Sequence, residues 1–307
     1  MHKLVFDIGA TNTKFALMST DGEILKRETV RTDYRSKEDY LKNLEQIALR
    51  YKELGDEIAI STNGRMCPDG NTYRAYTMKF LQGVNLKDEI ELRTGLPVTI
   101  LNDGFSAALG EWWKGAGQGF RNLLVIVLGS GMGGGLIIGG KLYQGAKRNA
   151  AMVFGMLGVF GEGKYELSSL PTSFTVLLYQ LADIKKVPIE QMTGQKFFEY
   201  AAEEDPSALG LLEFYCESVA GVIYNSAILL DVDCTVVTGS LTGQKLLMDT
   251  LHRKLKEIPE KALTGQTKVL LDMAAGDLSD FNIPLKNGLL AADANLYGAL
   301  YQLLHKE

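Results

Sequence analysis

The strongest constraint on the fold is a glycine-containing turn that joins two short apolar strands near the start of the chain. Residues 4–6 are apolar and lead into the turn sequence Asp7-Ile8-Gly9-Ala10-Thr11-Asn12-Thr13-Lys14, after which residues 15–18 are apolar again. Asp21-Gly22 then supplies a hairpin turn before Ile24. The chain therefore opens with three predicted strands joined by two turns.

The same arrangement recurs after residue 120. Residues 123–128 form a predicted strand, residues 129–135 a turn that contains five glycines, and residues 136–138 a second strand. Gly139-Gly140 is the hairpin before a third strand, which starts at Leu142-Tyr143. The repeat predicts an α/β protein built from two β-β-β-α units with a cleft between them.

Helix and strand patterns alternate along the rest of the chain. Ser36 is a predicted N-cap, and apolar residues continue at helical spacing to Leu54, where Gly55 can end the helix. Three glycines within residues 115–119 favour a boundary there, so we predict domains over 1–117 and 118–287. The other predicted elements are strands at 58–60, 98–101 and 235–237 and helices at 86–93, 105–113 and 288–305.

Charge and composition exclude several classes of protein. The net charge is −5 over 307 residues, so no general attraction to nucleic acid or to an anionic membrane is expected. The three cysteines form no C-x-x-C pair and there are only three histidines, so we expect no zinc site and no Ser-His-Asp triad. No uncharged apolar run reaches the ~20 residues that span a bilayer, and from the first residues, which lack a basic region and a long apolar one, we expect no secretion signal. We therefore expect a cytoplasmic protein with no membrane partner.

The two turns have the composition of phosphate-binding loops, because small residues let backbone N–H groups approach an anion. In the first turn Thr11 and Thr13 add hydroxyl donors, Lys14 adds a positive charge, and Asp7 could orient a metal-bound water. The glycines of residues 129–135 would form an opposing anion site, so that the two turns clamp a polyphosphate. A pair of ordinary β-turns is the alternative. The sequence has no P-loop, and its second turn precedes a strand where a dinucleotide-binding turn would open a helix.

Asn102-Asp103 lies at the end of a predicted strand and directly before a predicted helix. This is the sheet edge at which α/β proteins present ligands. An aspartate there could accept the proton of an attacking sugar hydroxyl during phosphoryl transfer, or it could cap the helix. Spacing alone leaves both roles open, and Asn102 could hold the substrate beside it.

Five segments together resemble the ROK family of bacterial sugar kinases and related repressors. Residues 7–14 resemble its first phosphate motif and residues 102–111 its catalytic Asn-Asp segment. Residues 128–135 are similar to its second phosphate motif, Val237-Thr238-Gly239-Ser240 to its adenosine motif and residues 294–299 to its last helix. The segments occur in family order over essentially the whole chain, and the zinc-free β-glucoside kinases are the branch that this sequence resembles.

The resemblance implies duplicated ribonuclease-H-like domains of the actin/hexokinase/Hsp70 type, with nucleotide and sugar in an interdomain cleft. It implies that a C-terminal helix, residues 288–307, joins the first domain. The implied activity is the phosphorylation of a hexose or glucoside hydroxyl, at O6, with ATP and Mg²⁺. Asp103 would be the general base, and Asn102, Asn85 and Asn63 would face the sugar. The nucleotide side would comprise Asp7, which would hold Mg²⁺ through water, and Gly9, Thr11, Thr13, Lys14, Gly129, Ser130, Gly131, Gly133 and Gly239.

The sequence departs from the family pattern on the sugar side. Family members carry an A-G-E-[IF]-G-H segment, but here Met152 or Val153 stands in place of its Glu, and its His is missing. The family's cysteine-rich zinc segment is absent as well, and Glu162 or Glu166 in that region could replace the lost carboxylate. Losing a hydrogen-bonding partner changes the substrate or weakens the site. The alternative function is therefore a sugar- or nucleotide-binding sensor with little kinase activity, and a chaperone-like or filament-forming ATPase is a third. The resemblance also allows a homodimer.

Overall fold

The computed structural model describes residues 2–9, 11–32, 36–67, 69–75, 78–159, 165–262, 269 and 283–305. Within these ranges the strands are β1 (His2–Ile8), β2 (Asn12–Met18), β3 (Ile24–Arg31), β4 (Gly55–Thr62), β5 (Arg65–Met66), β6 (Thr72–Arg74), β7 (Val98–Asn102), β8 (Leu123–Leu128), β9 (Met132–Ile138), β10 (Lys141–Leu142), β11 (Leu157–Val159), β12 (Tyr165–Leu167), β13 (Cys234–Thr238) and β14 (Leu285–Asn287). The α-helices are α1 (Lys37–Arg50), α2 (Leu86–Thr94), α3 (Asp103–Lys114), α4 (Phe174–Lys185), α5 (Gly194–Ala202), α6 (Pro206–Leu230), α7 (Lys245–Ala262) and α8 (Ala294–Leu304).

The chain forms two compact units. The first comprises Met1–Val125, Gly134–Ala151 and Gly288–Glu307, and the second comprises Ile126–Gly133 and Met152–Asn287. Helix α8 therefore belongs to the unit that contains the N-terminus, where it packs on α3, β1 and β4. The predicted domain boundary at residue 117 stays a prediction.

The first unit is built on a five-stranded sheet of order β3-β2-β1-β4-β7. Strands β1, β2 and β3 form antiparallel pairs, while β4 lies parallel to both β1 and β7. Ile8, Thr62 and Asn102 are register partners across the three parallel strands. The residues that follow these strands therefore lie along one edge of the sheet, as expected for the carboxyl ends of parallel strands.

Both faces of this sheet are covered, because successive side chains of a strand point to opposite sides. Leu4, Phe6 and Ile8 pack with buried residues of α1 and α2 on one face. Val5 lies on the other face and packs with Leu296 and other apolar residues of α8. Burial of each such side chain stabilises the fold by roughly 1.5–3 kcal/mol.

Two glycines allow α3 and α8 to cross with their backbones in contact. A Cβ atom at Gly298 would lie 1.6 Å from the carbonyl oxygen of Ser106, and one at Gly110 would lie 2.1 Å from that of Ala294. The buried carboxylate of Glu111 adds polar links, since it accepts hydrogen bonds from the backbone N–H groups of Leu289, Leu290 and Ala116 at 3.0–3.1 Å. The close packing fixes α3, the helix whose first residue is Asp103.

The second sheet has the order β10-β9-β8-β13-β14. Its β9–β10 pair is antiparallel and its β13–β14 pair is parallel. The two sheets have the same strand order. In each, three consecutive strands lie side by side, and two later strands that are reached through crossovers extend the sheet. The predicted duplicated α/β fold is confirmed.

Three predicted element boundaries are wrong. Helix α1 ends at Arg50 rather than near Leu54, and Gly55 begins β4, where a Cβ atom would lie 2.9 Å from the Leu4 side chain. The second turn is shorter than predicted because β9 already begins at Met132. The last helix begins at Ala294 rather than at residue 288, because the preceding N–H groups bond to Glu111.

Candidate active site

In the first turn, the buried carboxylate of Asp7 lies between two hydrogen-bond donors, an ammonium group and an amide group. The β1–β2 register sets Asp7 opposite Lys14, whose Nζ donates to Asp7 Oδ2 at 2.8 Å. Asn295 Nδ2 donates to Asp7 Oδ1 at 2.9 Å, and Lys14 also donates to the carbonyl oxygen of Ala292. Both oxygens of Asp7 therefore have partners, and residues nearly 300 positions away complete the surroundings of the turn.

A chain of hydroxyl groups braces the same turn from its other side. Thr32 donates through Oγ1 to the carbonyl oxygen of Gly9 at 2.8 Å, and its N–H donates to the carbonyl oxygen of Thr11 at 3.0 Å. The Thr13 and Thr32 hydroxyls are 3.1 Å apart. Because the Thr32 proton goes to Gly9, Thr13 is the donor of that pair. Thr13 is thus buried and engaged within the chain, whereas the Thr11 side chain is exposed.

The structure brings together Asn63, Asn102 and Asp103 at the carboxyl edge of the first sheet. Asn63 Nδ2 lies 3.3 Å from Asp103 Oδ2, and Asn102 Nδ2 donates to Asp103 Oδ1 at 2.9 Å. The N–H of Gly104 also donates to Asp103 Oδ1, at 2.9 Å. Three donors therefore fix the orientation of this carboxylate.

Burial is the largest influence on the Asp103 carboxyl and raises its pKa to about 6. The negative charge of Asp7 raises the pKa further, while the hydrogen bonds from Asn63, Gly104 and Asn102 act in the opposite direction. At neutral pH the group is therefore ionised but has appreciable basicity. A carboxylate with these properties suits general-base catalysis.

The cap of α3 is Asn102 rather than Asp103. The Asn102 side-chain oxygen accepts from the N–H groups of Gly104 and Phe105, and its Nδ2 also donates to the carbonyl oxygen of Gly64. This distribution answers the question that spacing left open, because the capping function does not require Asp103. Asn102 orients the carboxylate while it caps the helix.

Asn85 lies apart from this cluster in its bonding. It caps α2 by accepting from the N–H of Asp88, and its Nδ2 donates to Asp88 Oδ2 and to the carbonyl oxygen of Asp69. None of the hydrogen bonds found in the described residues joins it to Asp103. Its predicted place at the sugar stays a prediction.

The second turn, residues 129–131, and the start of β9 contain three glycines, Gly129, Gly131 and Gly133, with open surroundings among the described residues. Among the residues that the structure describes, a Cβ atom at Gly131 would meet no heavy atom within 4 Å, and one at Gly133 or Gly129 would meet its nearest neighbour at 3.9 or 3.8 Å. None of these three glycines has a positive φ. Neither a left-handed backbone nor packing against the described residues explains why these positions are glycine.

Gly134 and Gly135, the next two glycines, are explained by close packing. A Cβ atom at Gly134 would lie 2.9 Å from the carbonyl oxygen of Val125, and one at Gly135 would lie 2.5 Å from the Ala108 Cβ. These two residues are strand positions on which α3 packs. The glycine run of the sequence is therefore two adjacent features, an open turn and a tightly packed strand.

Two further contacts position the second turn within its own unit. The Ser130 carbonyl oxygen accepts from the N–H and Oγ1 of Thr175 and from Oγ of Ser173, the N-cap of α4, at 3.0–3.2 Å. Gly239 has φ +110° and lies against Leu128, where a Cβ atom would approach the carbonyl oxygen to 2.4 Å. The structure thus brings Gly239 beside the start of the second turn, and packing alone explains why it is glycine.

Sequence reasoning missed Asn295, Thr32, Ser173 and Thr175. Ser173 carried a signal, since a serine before an apolar helix pattern is a candidate N-cap. Asn295 lies in the segment that resembles the family's last helix, but the sequence did not indicate its own role there. Thr32 and Thr175 had no signal, because their partners are far away in the sequence or are backbone atoms. Of the two substitutes considered for the missing sugar-site Glu, Glu162 and the side chain of Glu166 lie outside the described residues. Val153, one of the two residues that stand in place of this Glu, is buried.

The described residues contain neither a cluster of metal ligands nor a helix that could cross a membrane. Among the described residues there is no group of three or more His, Cys, Asp or Glu side chains that could hold a metal ion. The helices of the described segments are too short or too polar to cross a bilayer.

Comparison with known proteins gives consistent matches over the whole chain. The ROK family model matches residues 4–155 and 178–281. A beta-glucoside kinase from Listeria monocytogenes is 28% identical over 309 residues, which cover 98% of this chain and 97% of the relative. These matches confirm the predicted family.

Two solved structures show the fold. A ROK family protein from Streptococcus pneumoniae in complex with sucrose has a TM-score of 0.81 at 23% identity and covers 100% of this chain and 99% of its own. A ROK family glucokinase from Streptomyces griseus in complex with glucose and AMPPNP has the same TM-score and identity and covers 98% of each chain. The actin-like ATPase fold is confirmed.

Proposed function

The chain belongs to the ROK family, and from that membership and the geometry of its site we propose that it is an ATP-dependent sugar kinase. The observation that carries the proposal is Asp103, a carboxylate held by three donors at the first residue of α3. Its raised pKa, about 6, makes it a stronger base than an ordinary aspartate and leaves it ionised at neutral pH. Asp103 would accept the proton of the attacking hydroxyl.

On the sugar side, Asn63 would orient both the base and the acceptor, while Asn102, whose amide is fully hydrogen-bonded within the chain, would orient the base. Their amide groups hold the two oxygens of Asp103 and leave the carboxylate one preferred direction from which to receive a proton. The acceptor would be a hexose or glucoside hydroxyl, at O6, and the name of the Listeria relative supports a glucoside. Asn85 would contribute only if the sugar extends toward α2.

On the nucleotide side, the open backbone at Gly131 and Gly133 would lie against the phosphates, with the Lys14 ammonium as the positive charge. Thr11, Gly9, Gly129 and Ser130 would form the edges of the two turns. Because both Asp7 oxygens have protein partners, Asp7 would hold Mg²⁺ through water. When bound, Mg²⁺ neutralises phosphate charge during transfer.

The enzyme would act in the cytoplasm, where ATP is supplied. A homodimer stays a prediction.

The test is ADP release from ATP·Mg²⁺ across a panel of hexoses, N-acetylhexosamines and β-glucosides. We expect turnover on one sugar class and a fall in kcat of about 10³-fold in Asp103→Asn, within the range for removal of a general base. Asp183→Asn is the matched control, since Asp183 is an exposed aspartate on α4.

Turnover that survives in Asp103→Asn would remove Asp103 from the mechanism. No turnover on any sugar, with sugar or nucleotide still raising the melting temperature, would replace the kinase by the sensor.

A further inference from the structure

A small cavity beside the proposed base has an unusual lining. Four of its lining residues are apolar, and the three polar ones are Asn102, Gln144 and Arg148. The lining residues include one cation and no carboxylate. The cavity therefore offers hydrogen-bond donors and positive charge next to the residue that orients Asp103.

Arg148 is a cation without a counter-ion among the residues that the structure describes. Its side chain has no hydrogen bond or ion pair there, and the side chain that interacts with it electrostatically is the Cys67 thiol. Burial lowers the pKa of its guanidinium, whereas the pKa values of Arg93 and Arg253, which bond to carboxylates, are raised. A partly buried guanidinium remains charged at neutral pH, so an unpaired one is costly unless a ligand supplies the anion.

Gln144 presents a second unpaired group in the same cavity. Its Oε1 atom is buried and has no hydrogen-bond partner within the described part of the chain. Most buried side-chain oxygens in proteins have a partner. A molecule that donates one hydrogen bond to Gln144 and accepts several from Arg148 would satisfy both side chains.

The backbone at Arg148 adds an independent argument. Its φ is +52°, in the left-handed region where glycine is favoured and other residues are strained. Glycine would relieve this strain, so an arginine at the position is explained better by its side chain than by its backbone.

We propose that Arg148 and Gln144 form a specificity subsite for an acceptor sugar that carries an anionic group, a carboxylate or a phosphate. The guanidinium binds the anion through its forked N–H groups, Gln144 Oε1 accepts from a sugar hydroxyl, and the reacting hydroxyl lies at Asp103, whose carboxylate Asn102 orients. This inference rests on the sugar-kinase function proposed above and narrows its substrate class.

The experiment compares acceptors in pairs on the full chain. Gluconate, which keeps its O6 hydroxyl, is the carboxylate probe, glucose 1-phosphate is the phosphate probe, and glucose and cellobiose are the neutral partners. We expect kcat/KM to be higher for one acidic group of probes than for the neutral sugars. Arg148→Gly, which keeps the left-handed backbone, should lower kcat/KM for that acidic acceptor by about tenfold or more. Arg148→Lys should restore part of the loss, because it restores the charge without the fork.

The matched control is Lys147→Gly, which removes the same charge from the neighbouring exposed residue and should leave every acceptor unchanged. The inference would be overturned if kcat/KM for the neutral sugars equals or exceeds that for the acidic sugars and does not change in Arg148→Gly. That result would leave the proposed kinase function standing. A rise in the KM for ATP with every acceptor would also overturn it, since Arg148 would then bind the nucleotide.

Absence of turnover on all sugars would count against the proposed kinase instead. In that case thermal shift decides the inference. A melting-temperature rise with an acidic probe that Arg148→Gly abolishes supports the subsite, and no such rise refutes it.

Discussion

The turn after β1 and the turn after β8 occupy equivalent positions in two sheets of the same strand order, but they are held in opposite ways. Side chains hold the first turn, through the Asp7 pairs with Lys14 and Asn295 and through the Thr32 hydroxyl. The second is bare backbone, anchored at the carbonyl oxygen of Ser130. The two copies thus share a topology but differ in their chemistry.

The two turns illustrate two ways in which a protein can bind an anion. Charged side chains can attract a polyphosphate from a distance, but they occupy space and need partners of their own. Bare backbone N–H groups add little net charge and allow close approach. A pair of turns that divides these tasks would have a charged side and a close-fitting side, and the predictions below test that division.

The largest effect should come from breaking the support of the first turn. Gly298→Ala forces a methyl group onto the Ser106 carbonyl oxygen and would push α8, the carrier of Asn295, away from α3. We expect a loss of about 3 kcal/mol or more in the free energy of unfolding, measured with urea. The control is Gly210→Ala in α6, where a Cβ atom meets nothing within 4 Å and should stabilise by roughly 0.5–1 kcal/mol. Equal stability of the two variants would mean that α3 and α8 do not cross in contact.

The two β-β-β-α units were predictable because they follow from where apolar runs and turn residues fall. Asp103 was predictable for the same reason, since a polar residue between a strand and a helix stands out against the apolar pattern. The division of work between Asn102 and Asp103 was not predictable. Either residue can cap a helix, and only the hydrogen bonds to Gly104 and Phe105 show that Asn102 does so.

The glycine run at 129–135 shows where local reasoning ends. Glycine is used both for open approach and for tight packing, and the letters are the same in each case. Gly131 is open and Gly135 is crowded by Ala108, a residue more than twenty positions away. Asn295 and Thr32 were missed for a related reason, because their importance depends on contacts that form only in the folded chain.

A paired substitution tests the two turns directly. Thr32→Val keeps the shape of the side chain but leaves the Gly9 carbonyl and the Thr13 hydroxyl without their partner. It should cost about 1–2 kcal/mol of stability. Gly131→Ala should leave stability within about 0.5 kcal/mol, because its φ is not left-handed and its surroundings are open.

ATP binding should reverse the ranking of these two variants. We expect Gly131→Ala to weaken ATP binding by about tenfold, equivalent to roughly 1.4 kcal/mol, in calorimetric titration. Unchanged binding in Gly131→Ala would show that the second turn does not approach the nucleotide, and the division of tasks would then fail.

The smallest effect is a shift in pH dependence that links the first turn to the base. Because the pKa of Asp103 is raised to about 6, kcat/KM should fall to half its plateau near pH 6 as the base becomes protonated. The same pKa makes the folded chain bind this proton more tightly than the unfolded chain. The contribution of Asp103 to stability therefore decreases as the pH rises from about 4 to about 6.

The charge of Asp7 helps to raise the pKa of Asp103, so Asp7→Asn should move the midpoint of the kcat/KM profile to lower pH whatever its effect on the plateau. Asp183→Asn should not move it, and a midpoint that stays in place in Asp7→Asn would show that the first turn and the base are electrostatically independent.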